Sequence, residues 1–198
     1  MFTGIILKMG RLVSLEKKHP LTLTVETGPL AQLKIGDSVA VNGACLTVVS
    51  YDGKECRFHL SEETWARSHF SDLTSGSYVN LELPLTLQDF LGGHLVSGHL
   101  DGVARLKSLQ KRGSSTTFSF TYQDREWKKF IIPKGSVTVN GISLTVSELR
   151  ESLFAVEVIP HTLENTNLKY AKIGERMNLE LDLLGKYVYN FKSDKKWM

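Results

Sequence analysis

The sequence predicts an all-β protein: two tandem, homologous antiparallel barrels followed by one C-terminal α-helix. Three observations carry this expectation. The chain repeats itself at domain length. Each copy is written in short strands of period two, separated by Asn-Gly and other glycine turns. The last segment, from Leu184 onward, has a helical apolar stripe with no counterpart in the first copy.

The repeat comes first, because a fold built from copies is misread when they are missed. Residues 38–48 read SVAVNGACLTV and residues 136–146 read SVTVNGISLTV, with eight of eleven positions identical, where chance gives about one or none. At the same offset of 98, Thr64 matches Thr162, Gly76 matches Gly174, and Asn80-Leu81-Glu82-Leu83 matches Asn178-Leu179-Glu180-Leu181. Upstream, residues 4–15 (GIILKMGRLVSL) align with residues 98–109 (GHLDGVARLKSL) at an offset of 94. The four-residue difference falls in the polar stretch at 113–117, where a surface loop tolerates insertion. A unit of about 95 residues has the length of a small domain and is far too long for a solenoid repeat. The expected organisation is an N-terminal barrel over 1–92, a C-terminal barrel over 93–183 and a helical tail over 184–198.

The elements follow in order. Residues 21–25 (LTLTV) and 38–41 (SVAV) alternate with period two, as half-buried strands do. Asn42-Gly43 and Asn140-Gly141 are tight-turn signals, because both residue types tolerate positive φ. In the second copy, residues 118–120 (FSF) and 153–159 (LFAVEVI) are further strands. Short strands at this spacing suggest a small antiparallel barrel, whose closure removes exposed strand edges. One short helix is expected after the strands of each copy, over 61–69 and 161–168, the first capped by Ser61. In the tail, Leu184, Tyr187, Val188 and Phe191 fall at i, i+3, i+4 and i+7, one apolar stripe. Lys192, Lys195 and Lys196 cluster at its end, where they complement the helix dipole. A helix of roughly three turns is marginal alone, so the stripe is expected to pack on its own barrel or on other copies of the chain.

Composition narrows the function. With 41% hydrophobic and 23% charged residues among 198, this is an ordinary soluble globular chain. A net charge of +3 is too small to argue for a nucleic-acid partner, and only Phe118, Phe120 and Tyr122 resemble an aromatic platform for single strands. Cys45 and Cys56 cannot make a disulfide framework, and no CxxC or Cys/His cluster suggests zinc. No apolar run approaches the roughly 18 residues of a membrane span, and residues 1–8 lack the basic region and cleavage site of a signal peptide. A cytoplasmic, reduced protein with no membrane partner is the expectation.

The common catalytic motifs are absent: no GxGxxG, P-loop, GxSxG or HExxH. What remains are polar residues repeated in equivalent places. Cys45 in the first copy stands where Ser143 stands in the second, each followed by Leu-Thr. Small thiols and hydroxyls at strand ends make good hydrogen-bond partners for a flat heterocycle; the plainer reading is packing in the barrel interior. Residues 92–102 (GGHLVSGHLDG) hold two His, one Asp and four Gly. Glycine permits close backbone approach to a ligand, and histidine moves protons near neutrality. His94 and His99 face opposite sides of an extended segment, which argues against a shared metal.

The opening MFTGI, the two VNGxxLTV segments, GGHLVSGHLDG, the short helices at Glu63-Thr64 and His161-Thr162, and LLGKY in the tail together resemble the riboflavin synthase family of the α-chain type, in order from residue 1 to about 187. The resemblance implies a six-stranded Greek-key barrel in each half and a homotrimer joined through the C-terminal helix. It implies a transferase of riboflavin biosynthesis: two molecules of 6,7-dimethyl-8-ribityllumazine exchange a four-carbon unit, giving riboflavin and 5-amino-6-(ribitylamino)uracil. Neither metal nor organic cofactor is implied, and lumazine synthase is a candidate partner. The alternative is a non-catalytic lumazine- or flavin-binding protein of the same family. Both copies here keep a polar residue and a Thr, and the tail stripe is intact, which favours the enzyme.

Carried over residue by residue, the resemblance implies a first pocket using Cys45, Leu46 and Thr47, then His59, Leu60, Ser61, Glu62, Glu63 and Thr64, and finally Gly98, His99 and Leu100. Lys134 would reach in from a neighbouring subunit. The second pocket would use Gly4, Ile5 and Ile6, then Ser143, Leu144 and Thr145, and Ile159, Pro160, His161, Thr162, Leu163 and Glu164. His99 is expected to transfer protons, with Cys45 and Ser143 assisting or hydrogen-bonding. Thr47, Thr64 and Thr145 are expected to orient the ring and its ribityl chain, and Phe2 to stack on it or act as a lid. In the family, the reacting pair forms between the N-terminal barrel of one subunit and the C-terminal barrel of another. The chain departs from the family pattern at Pro160-His161-Thr162, where Pro-Glu-Thr is usual, and at Trp65 and His69, where Leu and Asn are usual. Trp65 is expected to pack into the barrel mouth.

Overall fold

In the computed structural model, which describes residues 1–30 and 33–193, twelve strands form two closed antiparallel barrels. The first comprises β1 (Lys8–Glu16), β2 (Thr22–Glu26), β3 (Ser38–Val41), β4 (Ala44–Tyr51), β5 (Glu55–His59) and β6 (Tyr78–Glu82). The second comprises β7 (Gly102–Arg112), β8 (Ser115–Thr121), β9 (Ser136–Val139), β10 (Ile142–Leu149), β11 (Leu153–Val158) and β12 (Arg176–Leu181). Around the first barrel the order is β1-β2-β5-β4-β3-β6, and the second repeats it strand for strand. Three hairpin-linked strands with a fourth returning beside them make each a Greek key. The same two bulges bend each barrel: Leu12/Ser14 and Val48/Ser50 in the first, Leu106/Ser108 and Val146/Glu148 in the second. A bulge increases local twist, which helps six strands close.

The alternation along β4 decides where chemistry can sit. Ala44, Leu46 and Val48 are buried, while Cys45 is half-buried and Thr47 exposed. β10 repeats this, with Ile142, Leu144 and Val146 inward and Ser143 and Thr145 outward. The repeated polar pair therefore lies on the outside of each barrel, not in its interior. The interiors are apolar: Leu23, Phe58 and Leu81 in the first, and Phe118, Phe120 and Phe154 in the second. Phe118, Phe120 and Tyr122 belong to that second core, so they offer no stacking platform. Each fully buried side chain of this size contributes about 1.5–3 kcal/mol.

The barrels meet on a pseudo-twofold axis through their Asn-Gly turns. Asn42 and Asn140 both have φ +46°, and a Cβ on Gly43 or Gly141 would lie 2.7 Å from the backbone N of the other. Asn80 N donates to Asn42 Oδ1 and Asn178 N to Asn140 Oδ1, each at 2.8 Å. Across the joint, Asn80 Nδ2 donates to Asn140 O (2.9 Å) and Asn178 Nδ2 to Asn42 O (2.8 Å). A buried polar network of this kind is favourable only when its members are satisfied, and the Oδ1 of each of these four asparagines accepts a backbone N–H.

This joint also stops the short helices early. α1 (Glu62–Arg67) begins at Ser61, whose Oγ accepts from Thr64 N at 3.0 Å. The helix ends before the expected His69, because His69 N donates to Asn178 Oδ1 of the other barrel at 2.8 Å. α2 (Pro160–Glu164) likewise ends short of Leu168: Asn167 N donates to Asn80 Oδ1 at 2.8 Å. Burial pushes the His69 imidazole down to about 4 from an ordinary 6.5, so the ring is neutral and its Nε2 accepts from Asn42 Nδ2 at 3.1 Å.

The tail forms α3 (Leu183–Ser193). Leu184, Tyr187, Val188 and Phe191 are 57–75% exposed, so the stripe does not pack on its own barrel. The opposite face does: Tyr189 meets Phe130 edge-on, with centroids 5.2 Å apart, and Lys186 Nζ donates to Asp101 Oδ2 at 2.7 Å. Lys192 lies in the last turn, while Lys195 and Lys196 lie outside the described residues.

Candidate active site

Each barrel sends its lead-in segment across to the other. Phe2 and Val96, equivalent in the repeat, pair with each other at the axis: Phe2 N donates to Val96 O (2.7 Å) and Val96 N to Phe2 O (3.1 Å). Beyond this bridge, Cys45 N of β4 donates to Gly98 O, and Ser143 N of β10 donates to Gly4 O, each at 2.8 Å. Both glycines need their missing side chain. Gly98 has φ +81° and an added Cβ would lie 2.5 Å from Cys45 Cβ; Gly4 has φ +76° and its Cβ would lie 2.7 Å from Ser143 Cβ.

Two buried glutamates fix these segments. Glu180 accepts from Ser97 N (2.7 Å), Ser97 Oγ (2.7 Å) and Gly98 N (3.0 Å). Glu82 does the same for Thr3 N (2.6 Å), Thr3 Oγ1 (2.7 Å) and Gly4 N (3.1 Å). Burial pushes both carboxyls above the usual range, and the donated hydrogen bonds pull the other way. The signal for them was in the sequence, as the Asn-Leu-Glu-Leu repeat, but a carboxylate in a strand reads there as a solvated position.

The first pocket is a cavity of about 320 Å³ lined by Ala44, Cys45, Ser61, Glu63, Thr64, Arg67, Gly98, His99 and Leu100. It brings together β4, the first turns of α1 and the crossing segment. Ser61 Oγ and Thr64 Oγ1 lie 2.9 Å apart, so one hydroxyl donates to the other. Arg67, absent from the expected set, pairs with Glu63 and donates through Nη1 to Asp101 O at 3.1 Å. His99 is exposed at the rim, its backbone N donating to Ser97 Oγ at 3.1 Å.

Leu46, Thr47, His59, Leu60 and Glu62, also expected there, do not line it. Leu46 and Leu60 are buried in the first core. His59 and Thr47 are exposed, and Glu62 pairs with His19. Trp65 packs against the same core. Phe2 is fully buried with Ala40 and Val96 against Cys45. Phe2 is not among the residues that line the pocket; its backbone is bridged to Val96 and its ring packs against Cys45.

The backbone frame recurs in the second barrel: Ser143 and Thr145 face outward on β10 and Gly4 crosses in front of Ser143. Pro160, His161, Thr162 and Glu164 lie in α2. Ile6, Leu144 and Leu163 belong to or pack against the second core, whereas Ile5 and Ile159 are more than half exposed. Lys134 is exposed in the turn before β9, with φ +65° and its N donating to Val146 O at 2.7 Å. Ser143 also meets a residue outside the expected set: His94 Nδ1 lies 2.7 Å from its Oγ. The two histidines of the 92–102 segment thus serve different sites. Among the described residues, no group of three or more His, Cys, Asp or Glu is arranged to hold a metal ion.

A larger groove of about 870 Å³ lies at the joint, lined among others by His69, Tyr78, Arg105, Tyr170 and Arg176. Its rim groups are engaged with one another: Arg176 pairs with Asp72 through two hydrogen bonds, and Tyr78 stacks on Tyr170 at 4.2 Å. None of the expected site residues lines it.

The chain matches the lumazine binding domain at residues 3–84 and again at 97–182. It is 37% identical over 193 residues to riboflavin synthase of Bacillus subtilis (strain 168), covering 96% of this chain and 89% of that protein. It is 39% identical over 185 residues to riboflavin synthase of Escherichia coli (strain K12), covering 92% and 87%. Among solved structures, LumP complexed with 6,7-dimethyl-8-(1'-D-ribityl) lumazine aligns at a TM-score of 0.81 and 23% identity, over 91% of this chain and 98% of that one, a likeness of fold. With a lumazine binding domain in each half and this identity along nearly its whole length, the chain belongs to the riboflavin synthase family.

Proposed function

We propose that the chain is a transferase that converts two molecules of 6,7-dimethyl-8-ribityllumazine into riboflavin and 5-amino-6-(ribitylamino)uracil. The observation that carries this is the doubled site: the 2.8 Å bond from Cys45 N to Gly98 O has its counterpart from Ser143 N to Gly4 O. A reaction between two copies of one substrate calls for two seats of one design. Holding two rings face to face replaces a chance encounter with a positioned one, potentially worth roughly 7–11 kcal/mol. The carbon nucleophile is the deprotonated C7 methyl of one lumazine. The protein supplies placement, hydrogen bonds and a route for the proton.

His99, at the rim of the first pocket beside Cys45 and Thr64, is assigned proton transfer. Cys45 and Ser143 face the rings, and Thr47, Thr64 and Thr145 orient ring and ribityl chain. The remaining site residues, from α1, α2 and the crossing segments, line the two seats. Lys134 approaches the first pocket of a neighbouring subunit.

The working units are an N-terminal barrel over 1–92, a C-terminal barrel over 93–183 and an assembly helix over 184–198 in a homotrimer. The exposed stripe on α3 supports this assembly. Within the chain, Lys186 and Arg67 both donate to Asp101, which ties α3 to the first pocket. Among the described residues, no helix is long and apolar enough to cross a membrane; a cytosolic location and an association with lumazine synthase complete the reading, the latter testable by co-sedimentation.

The test is direct. The chain is incubated with the lumazine while riboflavin absorbance is followed, with one riboflavin expected for every two lumazines consumed. Tight binding without riboflavin at any pH would establish the binding-only alternative instead.

A further inference from the structure

The two sites are alike in backbone and unlike in what stands behind the outward residue. Behind Ser143, the half-buried His94 bridges two hydroxyls: Nδ1 lies 2.7 Å from Ser143 Oγ, and Nε2 lies 3.1 Å from Thr138 Oγ1. Thr138 is 1% exposed and stands directly opposite Ser143 across β9 and β10. The equivalent pair in the first barrel, Ala40 opposite Cys45, has no such chain: Phe2 packs there with Ala40, Val96 and Cys45. One site sets a thiol on an apolar floor; the other sets a hydroxyl at the end of a polar chain.

Burial holds the His94 imidazole below its ordinary value, so at neutral pH it carries one N–H and one bare nitrogen. If the bare nitrogen is Nε2, Thr138 donates to it, Nδ1–H donates to Ser143 Oγ, and the Ser143 hydrogen is left to point at a ligand. With the other tautomer, Ser143 donates to Nδ1 and offers the ligand only lone pairs. The tautomer thus selects what Ser143 presents, and the Thr138 hydroxyl holds the other end of the ring, donating to a bare Nε2 or accepting from Nε2–H.

Resting on the reading that the chain joins two lumazines, we propose that His94 and Thr138 are positioning residues that set the direction of the Ser143 hydroxyl, so that the second pocket has an oriented hydrogen-bonding group the first lacks and the two halves take non-interchangeable roles. Thr138→Val in the full chain tests this, since Thr138 is buried behind His94. Turnover is expected to fall about tenfold with KM within about twofold, the scale of one lost oriented hydrogen bond, and Thr138→Ser to restore it. Nitrogen-15 shifts of His94 provide a readout that needs no turnover: one neutral tautomer in the wild type, a changed or mixed population in the Val variant. Should Val not fold at this site, Thr138→Ala carries the same test. Unchanged kcat together with an unchanged His94 tautomer would overturn the proposal, as would a loss that Ser does not rescue. A wild type that makes no riboflavin sinks the functional reading instead, and the nitrogen-15 pattern then decides the His94 question alone.

Discussion

Replacing Gly98 with Ala tests whether the two pockets are separate seats. The new Cβ would lie 2.5 Å from Cys45 Cβ and 3.0 Å from both Cys45 N and Phe2 Cε2, on a backbone at φ +81°. Carbon atoms rest about 3.5–4.0 Å apart, so the crossing segment must retreat by about 1 Å. That retreat stretches the 2.8 Å bond from Cys45 N to Gly98 O beyond useful range. A left-handed backbone with a side chain costs roughly 1–2 kcal/mol, and an unpaired Cys45 N–H roughly 1–3 kcal/mol more. Set against a typical stability of about 5–15 kcal/mol, the chain still folds, with one pocket displaced. A misplacement of about 1 Å at a positioned site lowers the rate roughly a hundredfold. Gly4→Ala does the same to the second pocket, where the Cβ would lie 2.7 Å from Ser143 Cβ and Ser143 N. The assay is calorimetric titration with 6,7-dimethyl-8-ribityllumazine beside riboflavin formation. Two sites per chain are expected in the wild type, one in each single variant and none in the double. A Gly98→Ala chain that keeps both sites, with turnover within about threefold of wild type, would show that the Gly98 crossing does not seat the first pocket.

The joint and the anchors give further expectations. His69 has a folded value near 4 against 6.5; the unfolded chain therefore takes the proton first, and stability is full above about pH 6.5 and lost as pH falls toward about 4, by about 3 kcal/mol in all. His69→Asn, which places there the residue of the equivalent Asn167, should flatten that loss in urea midpoints taken at about pH 7.5 and 4.5; an equal loss in the variant contradicts the assignment. Glu180→Ala removes the acceptor of three hydrogen bonds and should cost about 2–4 kcal/mol, abolishing lumazine binding at the first pocket while the second still titrates. Val188→Asp with Phe191→Asp charges the exposed stripe of α3 and should weaken the proposed self-association in sedimentation velocity with little change in melting temperature; a sedimentation profile equal to that of the wild type would count against an assembly role for α3.

Much of the fold was legible because its signals are local. Asn42-Gly43 and Asn140-Gly141 announce positive φ, and both asparagines have it. Ser61 announces a cap, and its Oγ accepts from Thr64 N. The tail stripe announces a helix, and α3 forms over it. Other expectations slipped where a distant partner outweighed local preference. Both short helices stop early, because His69 N and Asn167 N find asparagine side chains of the opposite barrel. Alternation turns the side chains of Leu46 and Leu144 into the cores, opposite to Cys45 and Ser143. Glu82, Glu180 and Arg67 escaped notice, and His94 was weighed only as half of a metal pair: each draws its role from residues far away in the chain.

The residue order alone shows that there are two copies of one β domain, where their turns and many of their strands lie, and which polar residues the copies share. Periodicity and turn chemistry act over a few residues and can be read without a partner. The folded arrangement is what sends each lead-in segment across to the other barrel, pins it there with a buried glutamate, and backs Ser143 with a histidine while a phenylalanine packs against Cys45. Those outcomes depend on which surfaces meet when the barrels close and dock, and no local pattern encodes a meeting between residues some eighty positions apart.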